Sequence, residues 1–197
     1  DINEKLLPEP PDTILRKYGI MTPYILYVGN AYPHKNLDRL ILAFREVLKR
    51  HSGLKLVLAG KEDYFYKQLK NFVENNKVPG IIFPGHIEEN HMATAYREAK
   101  LYVFPSLYEG FGLPPLEAMA RSTPVASSNA SCLPEVLGNA AFFFDPRGVS
   151  ETAEAIEKVL TDDILRKRLI EAGKRQIQKY SWRKMAEKTL EIYSGCV

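Results

Sequence analysis

The sequence predicts a doubly wound α/β domain: a parallel sheet of about six strands, covered by helices on both faces, with further helices at the C-terminal end. Three observations predict it. Short apolar runs alternate with amphipathic stretches from Tyr24 to Phe144. The runs are continuously apolar, as strands buried on both faces require. Strand, helix, strand in regular order implies right-handed crossovers and parallel pairing.

The opening, Asp1 to Pro11, holds three prolines and reads as a linker. A short helix is expected over about Asp12 to Tyr18. Tyr24 to Val28 is a strand between Pro23 and Gly29. Leu37, Leu40, Ile41, Phe44, Val47 and Leu48 follow helical spacing, and Gly53 supplies a stop. Leu54 to Ala59 is the second strand, a helix follows over about Asp63 to Asn75, and Ile81 to Phe83 is a shorter third strand. Glu88 to Ala99 reads as helix, Leu101 to Phe104 as strand, Pro115 to Arg121 as helix and Pro124 to Ala126 as strand. Leu133 to Leu137 is a helical turn, and Ala141 to Phe144 is the last strand. After Pro146, Glu151 to Leu160, Ile164 to Lys179 and Ser181 to Tyr193 all look helical, with Ser181 as an N-cap. Three consecutive helices do not extend a sheet, so they must pack across it or against something else.

Composition excludes several classes. The 197 residues are 45% hydrophobic and 26% charged, enough apolar content for a sizeable core. A net charge of +3 without a block of basic residues does not argue for nucleic acid. Cys132 and Cys196 cannot form a C-x-x-C motif, which excludes a disulfide scaffold and a cysteine-rich zinc site and suits a reducing, cytoplasmic compartment. His34, His51, His86 and His91 show no ligand spacing, so no metal is expected. No apolar run reaches the length of a membrane span and no signal peptide is visible; a start at Asp1 reads as a cut or processed product.

In such a sheet, ligands bind beyond the carboxyl ends of the strands. Two strand-to-helix turns stand out there. In Gly29-Asn-Ala-Tyr-Pro-His-Lys35 the lysine sits beside a helix N-terminus, where a cation is disfavoured unless an anion shares the site. The turn alone fits an exposed lysine in water equally well. The second turn is Ser106 to Ala120. Gly110 and Gly112 allow close backbone approach or positive φ, and Pro114 and Pro115 suit a first helical turn. Its free N–H groups arrive at a helix start, ready to cradle a phosphate. Glu109 lies just before the cradle and Glu117 about one turn inside it, so a carboxylate on each side can accept from pairs of sugar hydroxyls. Glu117 would also be favourable in a first turn without any ligand.

Glu109 to Glu117 matches the E-x7-E signature of retaining glycosyltransferases with the two-domain GT-B fold, the glycogen-synthase-like and mannosyltransferase-like group. The resemblance covers nearly the whole chain. Gly29 to Asn36 is similar to that family's first donor-domain turn, Phe83-Pro-Gly-His86 to its F-x-G loop, and Pro105-Ser-x-x-Glu-Gly-Phe-Gly-Leu113 to its core. Pro124 to Ala126 with Leu133-Pro-Glu135, and Ser181-Trp182, resemble later elements.

The resemblance implies a Rossmann-like donor domain, about residues 23–180, behind an interdomain linker and short helix at 1–22. A helix at 181–197 would reach toward an acceptor-binding N-terminal domain. It implies a nucleoside-diphosphate-sugar donor, with no separate cofactor, and transfer with retention to an acceptor hydroxyl. Glu109 would hold hydroxyls of the transferred sugar, and the N–H groups of Gly110, Phe111, Gly112 and Leu113 would approach sugar and diphosphate. Gly29, Asn30 and Lys35 would form the phosphate turn, with Lys35 neutralising the leaving group. Glu117 would bind ribose hydroxyls, and the backbone near His86 and Ile87 would line the base pocket; His86 fits a loop histidine without a side-chain role as well. One departure is Asn30, where many relatives carry arginine; His34 or a residue outside the chain would compensate, or donor affinity would be lower. Pro33-His-Lys-Asn36 and Ser128 to Glu135 resemble bacterial mannosyltransferases of surface-polysaccharide synthesis, which favours GDP-mannose, with UDP-sugars close behind. The acceptor would be a saccharide or lipid-linked saccharide, and the full-length protein would be cytoplasmic or peripheral at the inner membrane face. Alone, the chain would bind nucleotide weakly and transfer little sugar. A non-catalytic nucleotide-sugar-binding module and a sugar-nucleotide epimerase are the alternatives; an NAD enzyme and a P-loop NTPase lack their glycine motifs.

Overall fold

The computed structural model of the chain describes residues 9–195. In chain order the elements are α1 (Pro11–Lys17), β1 (Tyr24–Val28), α2 (Leu37–Leu48), β2 (Lys55–Ala59), α3 (Tyr64–Asn75), β3 (Ile81–Gly85), α4 (Glu89–Arg97), β4 (Leu101–Phe104), α5 (Leu113–Ala120), β5 (Val125–Ser128), α6 (Leu133–Leu137), β6 (Ala141–Phe144), α7 (Val149–Thr161), α8 (Asp163–Ile177) and α9 (Trp182–Ser194). One-turn 3-10 segments sit at Pro33–Lys35 and Gly138–Ala140.

The strands form one sheet in the order β3-β2-β1-β4-β5-β6, and every neighbouring pair is parallel. The chain winds outward from β1 to β3, returns to the centre, and winds the other way from β4. β1 and β4 therefore flank the point where winding reverses, and in doubly wound sheets ligands bind in the crevice beyond the carboxyl ends of the strands at that point. β1 lies against β2 from Tyr24↔Lys55 to Val28↔Ala59 and against β4 at Ile25↔Leu101. Its Tyr24 to Tyr27 are buried without exception, as are all four residues of β4. Helices cover both faces, which explains the unbroken apolar runs.

Helical spacing places Leu37, Leu40, Ile41, Phe44 and Val47 on one buried face of α2, which packs against α7. α8 packs against α5 so closely that a Cβ on Gly173 would stand 3.0 Å from Met119 Cγ. At the C-terminal end of α8 the Gln176 amide, and just beyond it the Tyr180 hydroxyl, both donate to the Val136 carbonyl, at 2.7 and 2.9 Å, tying this end to α6. α1 buries Ile14 and Leu15, and Tyr18 meets His91 of α4 at 2.8 Å.

Most elements lie where the sequence puts them, and the displaced boundaries have local causes. The expected linker from Asp1 to Pro11 falls mostly outside the described residues, but Pro11 is the first residue of α1, where its missing N–H costs nothing. β3 runs on to Gly85 through Pro84; it is an edge strand, and a proline there removes no bond that the sheet needs. β5 starts at Val125 and continues through Ser127 and Ser128, both buried, so an apolar criterion ends it too early. α5 begins at Leu113 rather than Pro115, because Gly112 at φ 94° turns the chain into the helix. Ser181 caps α9, accepting from Lys184 N–H at 3.1 Å.

Candidate functional site

The two turns singled out from the sequence leave the two strands that flank the winding reversal. After β1, the Gly29 amide still donates to Ala59 and the Gly60 amide to Gly85, each at 3.0 Å, so three glycine turns stand side by side at the carboxyl edge. The 3-10 turn Pro33–Lys35 then leads to Asn36, which adopts a left-handed conformation (φ 60°) and starts α2. Asparagine tolerates that region better than other branched residues. The buried Asn36 amide donates to Pro105 O at 3.1 Å and Pro146 O at 2.8 Å, while Arg39 donates to its Oδ1 at 2.9 Å. Leu107 N–H donates to His34 O at 2.8 Å. One asparagine and one backbone bond thus stitch the first turn to the second.

That stitching brings Lys35 to Glu109. Lys35 Nζ lies 2.6 Å from Glu109 Oε1, with the two side chains only 14% and 11% exposed, and it sits 5.7 Å from the centre of the Phe104 ring. The anion that the turn chemistry called for is present within the protein itself, so the exposed-lysine alternative is excluded. The Glu109 carbonyl is held in turn by Ser131 Oγ at 2.8 Å and Cys132 Sγ at 3.2 Å from the turn after β5.

Beyond Glu109, Gly110, Phe111, Gly112 and Leu113 present their N–H groups at the start of α5, and among the described residues no group accepts from them. A side chain at Gly112 would be strained by its positive φ, and its Cβ would stand 2.8 Å from Leu133 Cδ2, which would have to move. Gly110 has open space around it, so its role is not packing within the chain. Glu117 is exposed on α5, and its Oε2 accepts from the Tyr96 hydroxyl at 2.9 Å, which orients the carboxylate. Burial, and then the Glu117 charge, push the Tyr96 phenol well up, so it stays a donor. The hydroxyl of Ser106, wholly buried at the base of the turn, has no hydrogen-bond partner among the described residues.

The remaining sequence candidates are less engaged. His86 is exposed just past the left-handed Gly85, whereas the Ile87 side chain is buried in the core, leaving only its backbone for a ligand. Asn30 accepts from Tyr32 N–H at 3.4 Å within its own turn. His34, offered as a substitute cation, is exposed and lies beside the Tyr32 ring. Among the described residues no three His, Cys, Asp or Glu side chains converge on one point, and no helix is long and apolar enough to cross a membrane. Sequence reasoning missed Asn36, Tyr96 and Ser131 as supports. A tyrosine amid buried residues is a usable signal for such a support, because its hydroxyl needs a partner.

The glycosyl transferases group 1 family profile matches residues 12–176. The chain belongs to that family. Among relatives of this group 1 transferase chain, the O-antigen chain mannosyltransferase B of Escherichia coli is 33% identical over 183 residues, 91% of this chain and 48% of that protein. A sucrose-phosphate synthase from Thermosynechococcus elongatus has the same fold, with a TM-score of 0.81 at 24% identity over 94% of this chain and 48% of that one. The C-terminal domain of the group 1 family protein LpcC from Francisella tularensis superposes with a TM-score of 0.73 at 26% identity, covering 87% of this chain and 92% of that domain. A Rossmann-like, six-stranded parallel sheet like that of GT-B C-terminal domains is therefore the right description of the group 1 fold seen here. The chain spans about half, or less, of the length of the curated relatives it matches.

Proposed function

We propose that this chain is the donor-binding half of a retaining hexosyltransferase that takes its sugar, mannose by preference, from a nucleoside diphosphate. One observation carries the reading. At the winding reversal, Lys35 and Glu109 meet directly beside four amides at the start of a helix from which no described residue accepts. A diphosphate would lie on those amides and on Lys35, which act on the negative charge that develops as the glycosidic bond breaks. Released from Lys35, Glu109 would accept from hydroxyls of the transferred sugar. Glu117, held by Tyr96, would accept from the ribose, and the backbone at His86 and Ile87 would border the base.

The O-antigen chain mannosyltransferase relative supports mannose as the sugar and a growing saccharide as acceptor; GDP-mannose is the donor proposed, and a lipid-linked saccharide is the other acceptor. The share of its relatives that the chain spans supports an acceptor-binding domain elsewhere in the full-length protein. The exposed apolar side chains of α9, Trp182, Met185, Leu190 and Ile192, would seat against that domain. Catalysis would then rest on positioning and on leaving-group stabilisation.

Calorimetric titration with GDP-mannose and with UDP and ADP sugars tests the reading. GDP-mannose should bind tightest, and Lys35→Ala should weaken it by at least roughly tenfold through loss of a charge-assisted contact to phosphate. Glu109→Ala should weaken GDP-mannose more than GDP, since its partner is the sugar. Lys35→Ala without effect on nucleotide affinity would end the diphosphate assignment, and an inverted product anomer from the full-length protein would end retention.

A further inference from the structure

Three consecutive carbonyls of the first turn are each met by a tyrosine hydroxyl from a different element. Tyr102 of β4 donates to Val28 O at 3.3 Å, Tyr66 of α3 to Gly29 O at 3.0 Å, and Tyr27 of β1 to Asn30 O at 2.8 Å. Fixing these carbonyls also fixes the amides, because the C=O and N–H of one trans peptide unit point in opposite directions. With the Gly29 and Asn30 carbonyls turned toward buried phenols, the N–H groups of Asn30 and Ala31 are turned the other way. Among the described residues no group accepts from either.

The arrangement is shaped for these bonds. A Cβ on Gly60 would stand 2.0 Å from Gly29 O and 2.5 Å from the Tyr66 hydroxyl, so a larger residue would force the two apart. A Cβ on Gly29 would stand 2.7 Å from the Tyr27 hydroxyl. Tyr27, Tyr66 and Tyr102 are all buried, where a phenylalanine would fill the same space without a hydroxyl to satisfy. Burial pushes all three phenols well up, so each remains a donor at any ordinary pH.

We infer that Tyr27, Tyr66 and Tyr102 are positioning residues that hold the first turn so that the Asn30 and Ala31 amides face the crevice as a second donor pair for a phosphate group. The inference rests on the donor-site reading above and deepens it. The first turn then contributes two backbone donors besides Lys35, and the second turn contributes the four amides from Gly110 to Leu113.

The test compares the wild-type chain, Tyr27→Phe/Tyr66→Phe and Lys35→Ala, using GDP and guanosine as ligands and the backbone amide resonances as reporter. In the wild-type chain, GDP should shift the Asn30 and Ala31 resonances downfield, as new hydrogen bonds form. The double variant should lose those shifts and bind GDP roughly tenfold more weakly. It should bind guanosine as before, which a general loosening of the pocket would not allow. If Lys35→Ala weakens GDP while the double variant keeps both affinity and shifts, the inference is overturned and the donor site stands. If none of the three proteins binds GDP and guanosine differently, the donor-site reading itself falls and takes the inference with it. Should the double variant not fold, the wild-type spectrum decides: Asn30 and Ala31 resonances unmoved at saturating GDP overturn the inference.

Discussion

Helices α2 and α9 are built alike and end up in opposite situations. Each has about three turns, an apolar stripe at helical spacing and a charged remainder. α2 buries Leu37, Leu40, Ile41, Ala43, Phe44 and Val47 between the sheet and α7. α9 buries none of its residues, and its side-chain bonds are internal: the Ser181 cap, the Arg183–Glu187 pair and the Thr189 hydroxyl on Met185 O. Amphipathic patterning therefore tells that a helix has a side to hide, but not what hides it. A helix of this length is marginal in water by itself, so α9 depends on cover in a way that α2, already covered, does not.

The contrast predicts a graded series of stability effects in this chain. Phe44→Ala opens the covered side of α2 and should lower the unfolding free energy by about 3–5 kcal/mol, read by denaturant titration. No measurable loss would mean that α2 is not the packed helix described. Asn36→Ala, at the N-terminal end of the same helix, strips the buried Pro105 and Pro146 carbonyls of their donor and should cost ~1–3 kcal/mol. It should also loosen the Lys35–Glu109 contact, because the two turns lose their stitch. Trp182→Ala and Leu190→Ala, at side chains 71% and 66% exposed, should change stability by less than ~0.5 kcal/mol. Made in the full-length protein, the same two substitutions should cost several-fold more if α9 is seated there; equal small effects in both would remove the proposed seat.

What could be read in advance follows from how local each cause is. β1, β4 and β6 carry their limits in their own residues, since an unbroken apolar run ends at a turn residue. β5 does not, because Ser127 and Ser128 are buried for reasons supplied by neighbouring strands. Both site turns were legible from glycines, prolines and charge at a helix start. The Lys35–Glu109 pair was not: the two residues are 74 positions apart and meet only because β1 and β4 are neighbours in the sheet. The tyrosine hydroxyls beneath the first turn were hidden for the same reason, since a strand tyrosine reads simply as an apolar residue until its partner is known.

The contact between Lys35 and Glu109 bears on selectivity. With no ligand between them each group quenches the other, so Lys35 is not a bare cation open to any passing anion. An anion alone gains Lys35 only by stranding a carboxylate with little solvent around it, and a neutral sugar alone strands the ammonium. A molecule with negative charge and hydroxyl groups at the right separation replaces both halves in one step. On the proposed donor reading, two opposite charges in mutual contact favour a conjugate over either of its parts, so GDP should bind, but less tightly than GDP-mannose.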